Sequence, residues 1–468
     1  MISTTTLLLL LPLADAFSLQ QPAFSTYKSI VGAHQFGLNR NANSVITRSS
    51  SAAAVQSEAY ESSNDEEKIL GLTEPYQDEI ELSAGDDSKI DQQFWKWRNH
   101  DIYYEVRTPA DNSGSNKPKV ILLHGFGAST TYWRETMSKL VDEGFEVHAL
   151  DLLGQGRSSK PYERSSKPSM VPYTLYPEES QSDAEVDEDV TSMLMGENTD
   201  ANVYYSINLW AQLVDDYARH NNFDQVLLMG NSLGSLVALS AATGDFIETT
   251  NNLDRESMYG YLAGNNVGKG SRVKGVCLFN CAVGLNLKNV LKEPSLSPLQ
   301  RILFMSIIAT MNKLVFGNEL LLKFALSNIV TKDLLRDALI GLYSYNPEQV
   351  DDELVDSFYY PAKLGGDGAV EAIRQIYTND PGLTPMELHA KYPEILDKMP
   401  LHLIWGDSDL VAPIGGDVGT FYCDRIANNR SGTGKTSIDV VSAGHLLFDD
   451  NPVDTHNCLM KWINRKIL

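Results

Sequence analysis

The pentapeptide Gly230-Asn231-Ser232-Leu233-Gly234 places the strongest constraint on how this chain can fold. The residues before it, Gln225 to Met229, form a short apolar run typical of a β-strand, and Leu233 to Ala242 after it have helix-compatible spacing. A strand, a turn of small residues around a serine and then a helix make up a nucleophile elbow, in which the hydroxyl stands clear of the sheet. The pattern predicts that Ser232 is a nucleophile.

Apolar runs with the composition of strands recur along the chain and alternate with helical patterns, such as the one that Ser206 is predicted to cap. This alternation predicts an α/β protein with a mostly parallel, doubly wound sheet. From 284 to 398 the strand pattern stops, and we expect a helical lid there, with Leu299 to Val330 forming two or three short helices with one apolar face. The predicted strands are Trp95 to Trp97, Ile102 to Val106, Val120 to Leu123, Glu146 to Leu150, Gln225 to Met229, Val273 to Phe279, Leu401 to Trp405 and Ser437 to Val441.

Two loops downstream contain the residues that a serine nucleophile needs. The hydroxyl attacks only when a base takes its proton, and the base needs an acid to orient it. His445 follows the last predicted strand and is the predicted base, and Asp409 follows the preceding strand and is the predicted acid, with Asp407 as the alternative. The 36 positions from Asp409 to His445 leave room for one helix and one strand. The order Ser, Asp, His is the one expected for this layout.

Backbone N–H groups complete the predicted site. Acyl transfer builds negative charge on a carbonyl oxygen, and fixed donors stabilise that charge. We expect the N–H of Leu233, directly after the nucleophile, and the N–H of Phe126, in the loop after the third strand, to form this oxyanion hole. His124 is predicted to shape the Phe126 loop. Three other histidines are predicted to lie on the surface: His389, His402 and His456.

Composition excludes several kinds of function. The net charge of -23 argues against a nucleic-acid-binding protein, and the acidic excess lies mainly in residues 65–91 and 177–200, which we expect to be solvated. No unbroken apolar run of about 18 residues occurs, so we expect no transmembrane helix. Residues 429–436 resemble the end of a nucleotide-binding loop, but Asn429 stands where that loop requires glycine. We expect no cofactor and no metal ion.

The cysteines have neither the spacing of a disulfide framework nor that of a metal site, so free thiols in a reducing compartment are predicted. Cys281, just past a predicted strand end, is predicted to be a buried thiol. The four cysteines are Cys277, Cys281, Cys423 and Cys458.

The chain before the predicted core has the composition of a targeting presequence, which we place at residues 1–57. Leu7 to Leu11 followed by Ala14-Asp15-Ala16 is typical of a signal peptide, and Phe17 to Ser57, without Asp or Glu, is typical of a transit peptide. This combination resembles the two-part presequence of algae with secondarily acquired plastids. We therefore expect a plastid location, in the stroma or at the thylakoid surface, with secretion as the alternative. The remaining predicted segments are an acidic disordered linker (58–92), the first part of the core (93–283) with an acidic disordered insertion (163–202), the lid (284–398) and the second part of the core (399–468).

Taken together, the motifs resemble those of the α/β-hydrolase superfamily over roughly residues 94–468. The resemblance rests on HGFG at 124, DLLGQGRS at 151, GNSLG at 230, WGDSDLVAP at 405 and AGH at 443. Finer features, including Ile207-Asn208-Leu209-Trp210, resemble the plastid branch that contains pheophytinase and chlorophyll dephytylase. That likeness implies hydrolysis of a long-chain ester, such as the phytyl ester of a chlorophyll-type pigment. The chain departs from that branch at Ser235, where a second glycine is usual, and at Leu446-Leu447, where Cys-Pro is usual.

The leading hypothesis is a cofactor-free serine ester hydrolase with a lipophilic small-molecule ester as its substrate. A perhydrolase of the haloperoxidase type or an acyltransferase would use the same three residues with a different acceptor. A non-catalytic ligand receptor on the same fold would usually lack one of Ser232, Asp409 and His445. We predict no nucleic-acid partner and no obligate protein partner, and the apolar lid leaves room for peripheral membrane contact.

Overall fold

The computed structural model describes residues 90–110, 116–162, 203–246, 260–264, 271–292, 297–428 and 435–468. The predicted presequence, nearly all of the acidic linker and the predicted insertion at 163–202 lie outside these residues. The predictions for those segments therefore stay predictions.

The described residues form a single sheet of eight strands whose centre is parallel. Its strand order is β1-β2-β4-β3-β5-β6-β7-β8, with β1 antiparallel to β2, β2 antiparallel to β4, and every other neighbouring pair parallel. This confirms the predicted fold class. The strands are β1 (Ile90–Trp97), β2 (His100–Arg107), β3 (Lys119–Leu123), β4 (Val147–Leu150), β5 (Val226–Asn231), β6 (Val273–Phe279), β7 (Leu401–Gly406) and β8 (Thr436–Val441).

Strand β3 shows why the sheet is covered on both faces. Successive side chains of a strand point to opposite faces, so alternate residues enter different layers. Val120 and Leu122 belong to one buried cluster, and Ile121 and Leu123 belong to another. All four are fully buried. A strand of this kind carries a continuous apolar run because each of its faces packs against helices.

Helices on the two faces complete the core. Ser206 accepts a hydrogen bond from the Leu209 N–H and so caps α2, as predicted, and Asn451 caps the last helix in the same way. The helices of this part are α1 (Arg134–Asp142), α2 (Ile207–His220), α3 (Leu233–Thr243), α11 (Asp417–Asn428), α12 (Leu447–Asp450) and α13 (Pro452–Lys466).

The described residues of the lid contain helices and no strand, in agreement with the loss of strand pattern there. Two of the helices continue into a π-helical turn, α4 (Pro298–Met311) into Asn312–Phe316 and α5 (Glu319–Phe324) into Ala325–Ile329. The other α-helices are α6 (Lys332–Ile340), α7 (Asp352–Leu364), α8 (Gly366–Thr378), α9 (Pro385–Lys391) and α10 (Pro393–Leu396).

One helix of the lid differs from the sequence expectation in its length. By length and composition alone, the helix Pro298–Phe316, with 19 residues, could cross a membrane. Arg301 and Lys313 interrupt the apolar run, but two charges do not prevent a helix of this length from being apolar as a whole. The first helix of the lid is therefore longer than the short helices that were predicted.

Candidate active site

Ser232 lies at a sharp turn between the end of β5 and the first residue of α3. Its φ of 51° and ψ of -117° are unusual for a residue with a side chain. A Cβ atom added to Gly230 would lie 2.2 Å from the Gly234 carbonyl oxygen. A Cβ atom added to Gly234 would lie 2.1 Å from the Leu123 carbonyl oxygen. The turn therefore requires both glycines. The Ser232 N–H donates to the Phe279 carbonyl at 3.0 Å, which anchors the strained residue to β6.

Ser235, which departs from the plastid branch, has a structural partner at the elbow. Its hydroxyl donates to the Gly230 carbonyl at 2.8 Å, and the side chain is fully buried. A glycine at this position could not make this bond. The substitution therefore adds a side-chain bond across the turn that holds Ser232.

Asp409 and His445 lie in direct contact. The Nδ1–H of His445 donates to Oδ2 of Asp409 at 2.8 Å, and both side chains are buried. Oδ1 of Asp409 accepts from the Val411 and Ala412 N–H groups at 2.8 and 3.1 Å. With Nδ1 occupied as a donor, Nε2 of His445 is the basic nitrogen.

Asp407, the alternative acid, has a different environment. Its carboxylate is exposed and accepts from the Ser408 and Ser442 hydroxyls at 2.9 and 3.2 Å. The structure thus places Asp409, and not Asp407, against the His445 ring.

Two asparagines that the sequence analysis missed fasten the His445 loop to the strand ends. The Asn280 Nδ2 donates to the carbonyls of Gly444 and His445 at 3.0 and 2.8 Å, and its Oδ1 accepts from the Gly406 N–H at 2.8 Å. The Asn231 Nδ2 donates to the His445 carbonyl at 3.3 Å. A polar residue directly after an apolar strand, as Asn280 is after β6, was the available signal.

These contacts bring the main chain of His445 next to the residue that precedes Ser232. The Ser232 hydroxyl itself has no hydrogen-bond partner among the described residues. In structures without substrate such bonds are often long, and they tighten only when the substrate is bound.

The loop after β3 lies against the elbow and contains Phe126, one of the two predicted oxyanion donors. A Cβ added to Gly125 would lie 3.3 Å from the Ser232 Cβ, so this glycine allows the close approach. The Gly127 N–H donates to Oε1 of Gln155 at 2.7 Å, which holds the loop. Within the described ranges, the N–H groups of Phe126 and Leu233 have no hydrogen-bond acceptor. Leu233 opens α3, where N–H groups lack intrahelical acceptors and favour negative charge.

His124 has the structural role expected of it. Its Nε2 accepts from the Leu152 N–H at 2.9 Å, and its Nδ1 lies 2.7 Å from the Gly125 carbonyl oxygen. Burial lowers the pKa of His124 to about 4, so the ring is neutral at physiological pH. It links the Phe126 loop to the turn after β4.

The prediction that three histidines lie on the surface was wrong. His389, His402 and His456 are only 4%, 1% and 6% exposed, and burial lowers the pKa of each to about 4. His456 makes a 3.0 Å hydrogen bond with the Thr136 hydroxyl of α1. It lies three residues before Leu459 and seven before Ile463, on the buried face of α13, so helical periodicity already indicated its burial.

The four cysteines are free, as predicted. Cys281 is 1% exposed, and burial raises the pKa of its thiol to about 12, which leaves it protonated at neutral pH. In the part of the chain that the structure describes, no group of three or more His, Cys, Asp or Glu residues could hold a metal ion.

A cavity of about 360 Å³ opens where the lid meets the His445 loop. The His445 N–H donates to the Leu342 carbonyl at 2.8 Å, so a turn of the lid packs directly on His445. The lid thus forms one wall beside the candidate base, and the core forms the other. The lining residues are Gly341, Leu342, Tyr343, Ser344, Ser408, Leu410, Gly444 and His445.

A mostly parallel sheet with helices on both faces and a serine on a strained strand-to-helix turn define a protein of the α/β-hydrolase fold. The comparison with protein families agrees: residues 120–456 match the alpha/beta hydrolase family. The chain belongs to this family.

Individual relatives match over short stretches. The chain is 36% identical over 67 residues to probable lysophospholipase BODYGUARD 1 of Arabidopsis thaliana. This match covers 14% of this chain and 14% of that protein. It is 42% identical over 59 residues to epoxide hydrolase B of Mycobacterium tuberculosis, covering 13% of this chain and 16% of that protein. The chain thus spans about one seventh of the length of these curated relatives.

Among solved structures, the chain is similar to a membrane phospholipase A described as a bacterial virulence factor. The TM-score is 0.47 and the identity 18%, over 80% of this chain and 86% of that one.

Proposed function

We propose that the protein is a serine ester hydrolase that acts on a lipophilic ester, with Ser232 as nucleophile, His445 as base and Asp409 as the acid that orients the base. The observation that carries the proposal is the 2.8 Å hydrogen bond between His445 Nδ1 and Asp409. The loop that contains His445 is hydrogen-bonded to the elbow through Asn231. A buried carboxylate that holds an imidazole in this tautomer stabilises the imidazolium formed when the base takes a proton.

The reaction that follows from this arrangement has two halves. The Ser232 oxygen attacks the ester carbonyl, its proton passes to Nε2 of His445, and the N–H groups of Phe126 and Leu233 stabilise the oxyanion. The imidazolium then protonates the leaving alcohol, and the C–O bond to that alcohol breaks. A water molecule, deprotonated by His445, releases the acid from Ser232 in the second half.

The substrate class is supported by the lid and by a relative. The lid contributes Leu342 and Tyr343 to the wall of the cavity beside His445. The relative BODYGUARD 1 is described as a probable lysophospholipase. The motif resemblance to the pheophytinase and dephytylase branch makes the phytyl ester of a chlorophyll-type pigment the specific substrate that we propose, in the plastid and with peripheral membrane contact through the lid.

The nucleophile is tested by Ser232→Ala. We expect this variant to lose turnover of short nitrophenyl esters by about 10⁴-fold or more, and to lose labelling by a fluorophosphonate probe, because the attacking atom is removed. Ser306→Ala is a matched control, since the Ser306 hydroxyl donates to the Ile302 carbonyl on the exposed side of α4. Full labelling of Ser232→Ala would exclude this serine as the nucleophile.

The substrate is tested with extracts. The protein is incubated with plastid pigment and lipid extracts, and the compounds consumed are identified by mass spectrometry, with Ser232→Ala as the blank. We expect loss of phytylated pigment and release of phytol. Consumption of glycerolipids with the pigments intact would replace the pigment by a membrane lipid as the substrate.

A further inference from the structure

Helices α4 and α5 with their π-helical ends, residues 298–329, follow one another with only Gly317 and Asn318 between them. This helix pair, called the hairpin for short, exposes an unusual amount of apolar surface. Soluble monomers rarely expose contiguous apolar patches beyond about 300–600 Å². Ten of the nineteen exposed large hydrophobic side chains of the described residues lie in this hairpin. They are Leu299, Ile302, Leu303, Met305, Ile307, Leu314, Leu320, Leu321, Phe324 and Ile329.

The α4 helix carries apolar side chains around most of its circumference, and the described residues leave it largely uncovered. Of the most apolar window within Pro298–Phe316, only 11% is buried. A helix that is hydrophobic all round is normally enclosed by protein or by lipid. Since the described protein encloses little of this one, lipid is the environment that suits it.

The contacts of the hairpin exclude a membrane-spanning arrangement. Phe316, at the end of the helix, is 2% exposed, and its ring stacks on Tyr377 of α8 with 3.9 Å between ring centroids. Leu322 of α5 is buried in the same small cluster, together with Val370 of α8. One end of α4 is therefore fixed on the protein, and only the exposed remainder can enter a bilayer.

The charges of the hairpin indicate what kind of bilayer surface it fits. The eleven residues between Arg301 and Lys313 carry no charge, and these two cations flank them, although the chain as a whole carries a net charge of -23. Lys323 pairs with Asp367 of α8, and Glu319, the one acidic residue of the hairpin, accepts a hydrogen bond from the Tyr162 hydroxyl. Lys313, which is exposed at one end of the apolar stretch, is a basic residue placed to contact anionic headgroups.

We propose that this hairpin lies in the interfacial layer of a lipid bilayer with anionic headgroups and so holds the active site at the lipid surface. The proposal rests on the proposed function for its purpose, since a lipophilic ester is most concentrated there. Tyr377, on which Phe316 stacks, also contacts Phe126 of the oxyanion loop with ring centroids 5.5 Å apart. The hairpin thus lies two aromatic contacts from the catalytic centre.

Vesicle flotation tests the inference. The full chain is mixed with vesicles of phosphatidylcholine alone or of phosphatidylcholine and phosphatidylglycerol in equal parts, and the bound fraction is measured. We expect binding to the anionic vesicles, and at least a tenfold weaker affinity for Leu303→Ser/Leu320→Ser. Lys313→Gln should lose about fivefold on anionic vesicles and little on neutral ones. The matched control is Val453→Ser/Leu468→Ser, which removes two side chains of similar exposure, 69% and 60%, outside the lid.

The outcomes separate this inference from the proposed function. Binding is measured with Ser232→Ala as well, so it does not depend on turnover, and a water-soluble nitrophenyl ester reports catalysis without a membrane. Wild-type protein that hydrolyses the soluble ester but does not float with vesicles would overturn the inference alone. Equal loss of binding in the Val453/Leu468 control would also overturn it. A dimer that becomes a monomer in Leu303→Ser/Leu320→Ser would assign the surface to a second copy instead.

Discussion

Helices α3 and α4 are both strongly apolar, yet they have opposite environments. Every residue of α3 (Leu233–Thr243) is buried, whereas Ile308 is the one buried residue of α4 (Pro298–Met311). The α3 helix lies inside the core and carries Ser232 at its first turn, and α4 lies in the lid with its side chains exposed. Apolar composition therefore indicates that a helix needs a hydrophobic environment, but it does not indicate whether protein or lipid supplies it.

The largest effect should fall on the chemistry of the core. Asp409→Asn is expected to lower kcat for a soluble ester by about 10³–10⁴-fold, because the amide no longer stabilises the imidazolium and favours the wrong tautomer. Asp407→Asn, two residues away and exposed, is the matched control and should change kcat by less than about twofold. Steady-state kinetics of the two variants measure kcat and so identify the carboxylate that orients His445. A larger loss in Asp407→Asn would assign the acid to that residue.

The comparison of the two helices predicts a difference in stability of intermediate size. Leu236→Ala in α3 removes a fully buried side chain and should lower the free energy of unfolding by about 2–5 kcal/mol. Leu303→Ala in α4, at 58% exposure, should change it by less than about 0.5 kcal/mol in the absence of lipid. Urea denaturation followed by tryptophan fluorescence measures both. Similar losses in the two variants would show that protein covers α4 in solution.

The smallest effect concerns the pH dependence of the core. The pKa of His456 is about 4 in the folded chain, against 6.5 for the exposed side chain, so between these values the unfolded chain binds the extra proton. Stability from this residue is present above pH 6.5 and is lost as the pH falls towards 4. His456→Gln should reduce the slope of unfolding free energy against pH by about 1.4 kcal/mol per pH unit in that window.

Denaturant titrations at several pH values test this prediction. His220→Gln is the control, because that histidine lies on the exposed end of α2. An unchanged slope in His456→Gln, or an equal change in the control, would contradict the burial of His456 as the cause.

The sequence predicted the parts of the molecule that depend on local pattern. The strands of the core are short apolar runs ended by turn residues, and the tips of parallel strands meet at one edge of a sheet. For that reason the positions of Ser232, Asp409 and His445 after three separate strands could be read without coordinates. The cap at Ser206 and the glycines of the elbow follow from equally local rules.

The remaining features depend on contacts between distant segments. The burial of His402 follows from stacking on Trp462, with 5.4 Å between ring centroids, and no local pattern of β7 reveals that neighbour. The length of the first lid helix was missed because Arg301 and Lys313 break the linear run without breaking the helix. Whether α4 is exposed depends on which surfaces the rest of the lid covers. That coverage is set by contacts between distant segments, such as the packing of α8 against Phe316.

The carboxamide of Asn280 restricts how this site can vary in evolution or be redesigned. Its nitrogen faces two carbonyl oxygens and its oxygen faces an N–H, so the two nearest replacements fail for opposite reasons. Aspartate would set a negative charge against two carbonyl dipoles, and leucine would leave the Gly444 carbonyl and the Gly406 N–H without these partners. A position with no reacting atom is therefore as restricted in its choice of side chain as the residues that perform the chemistry.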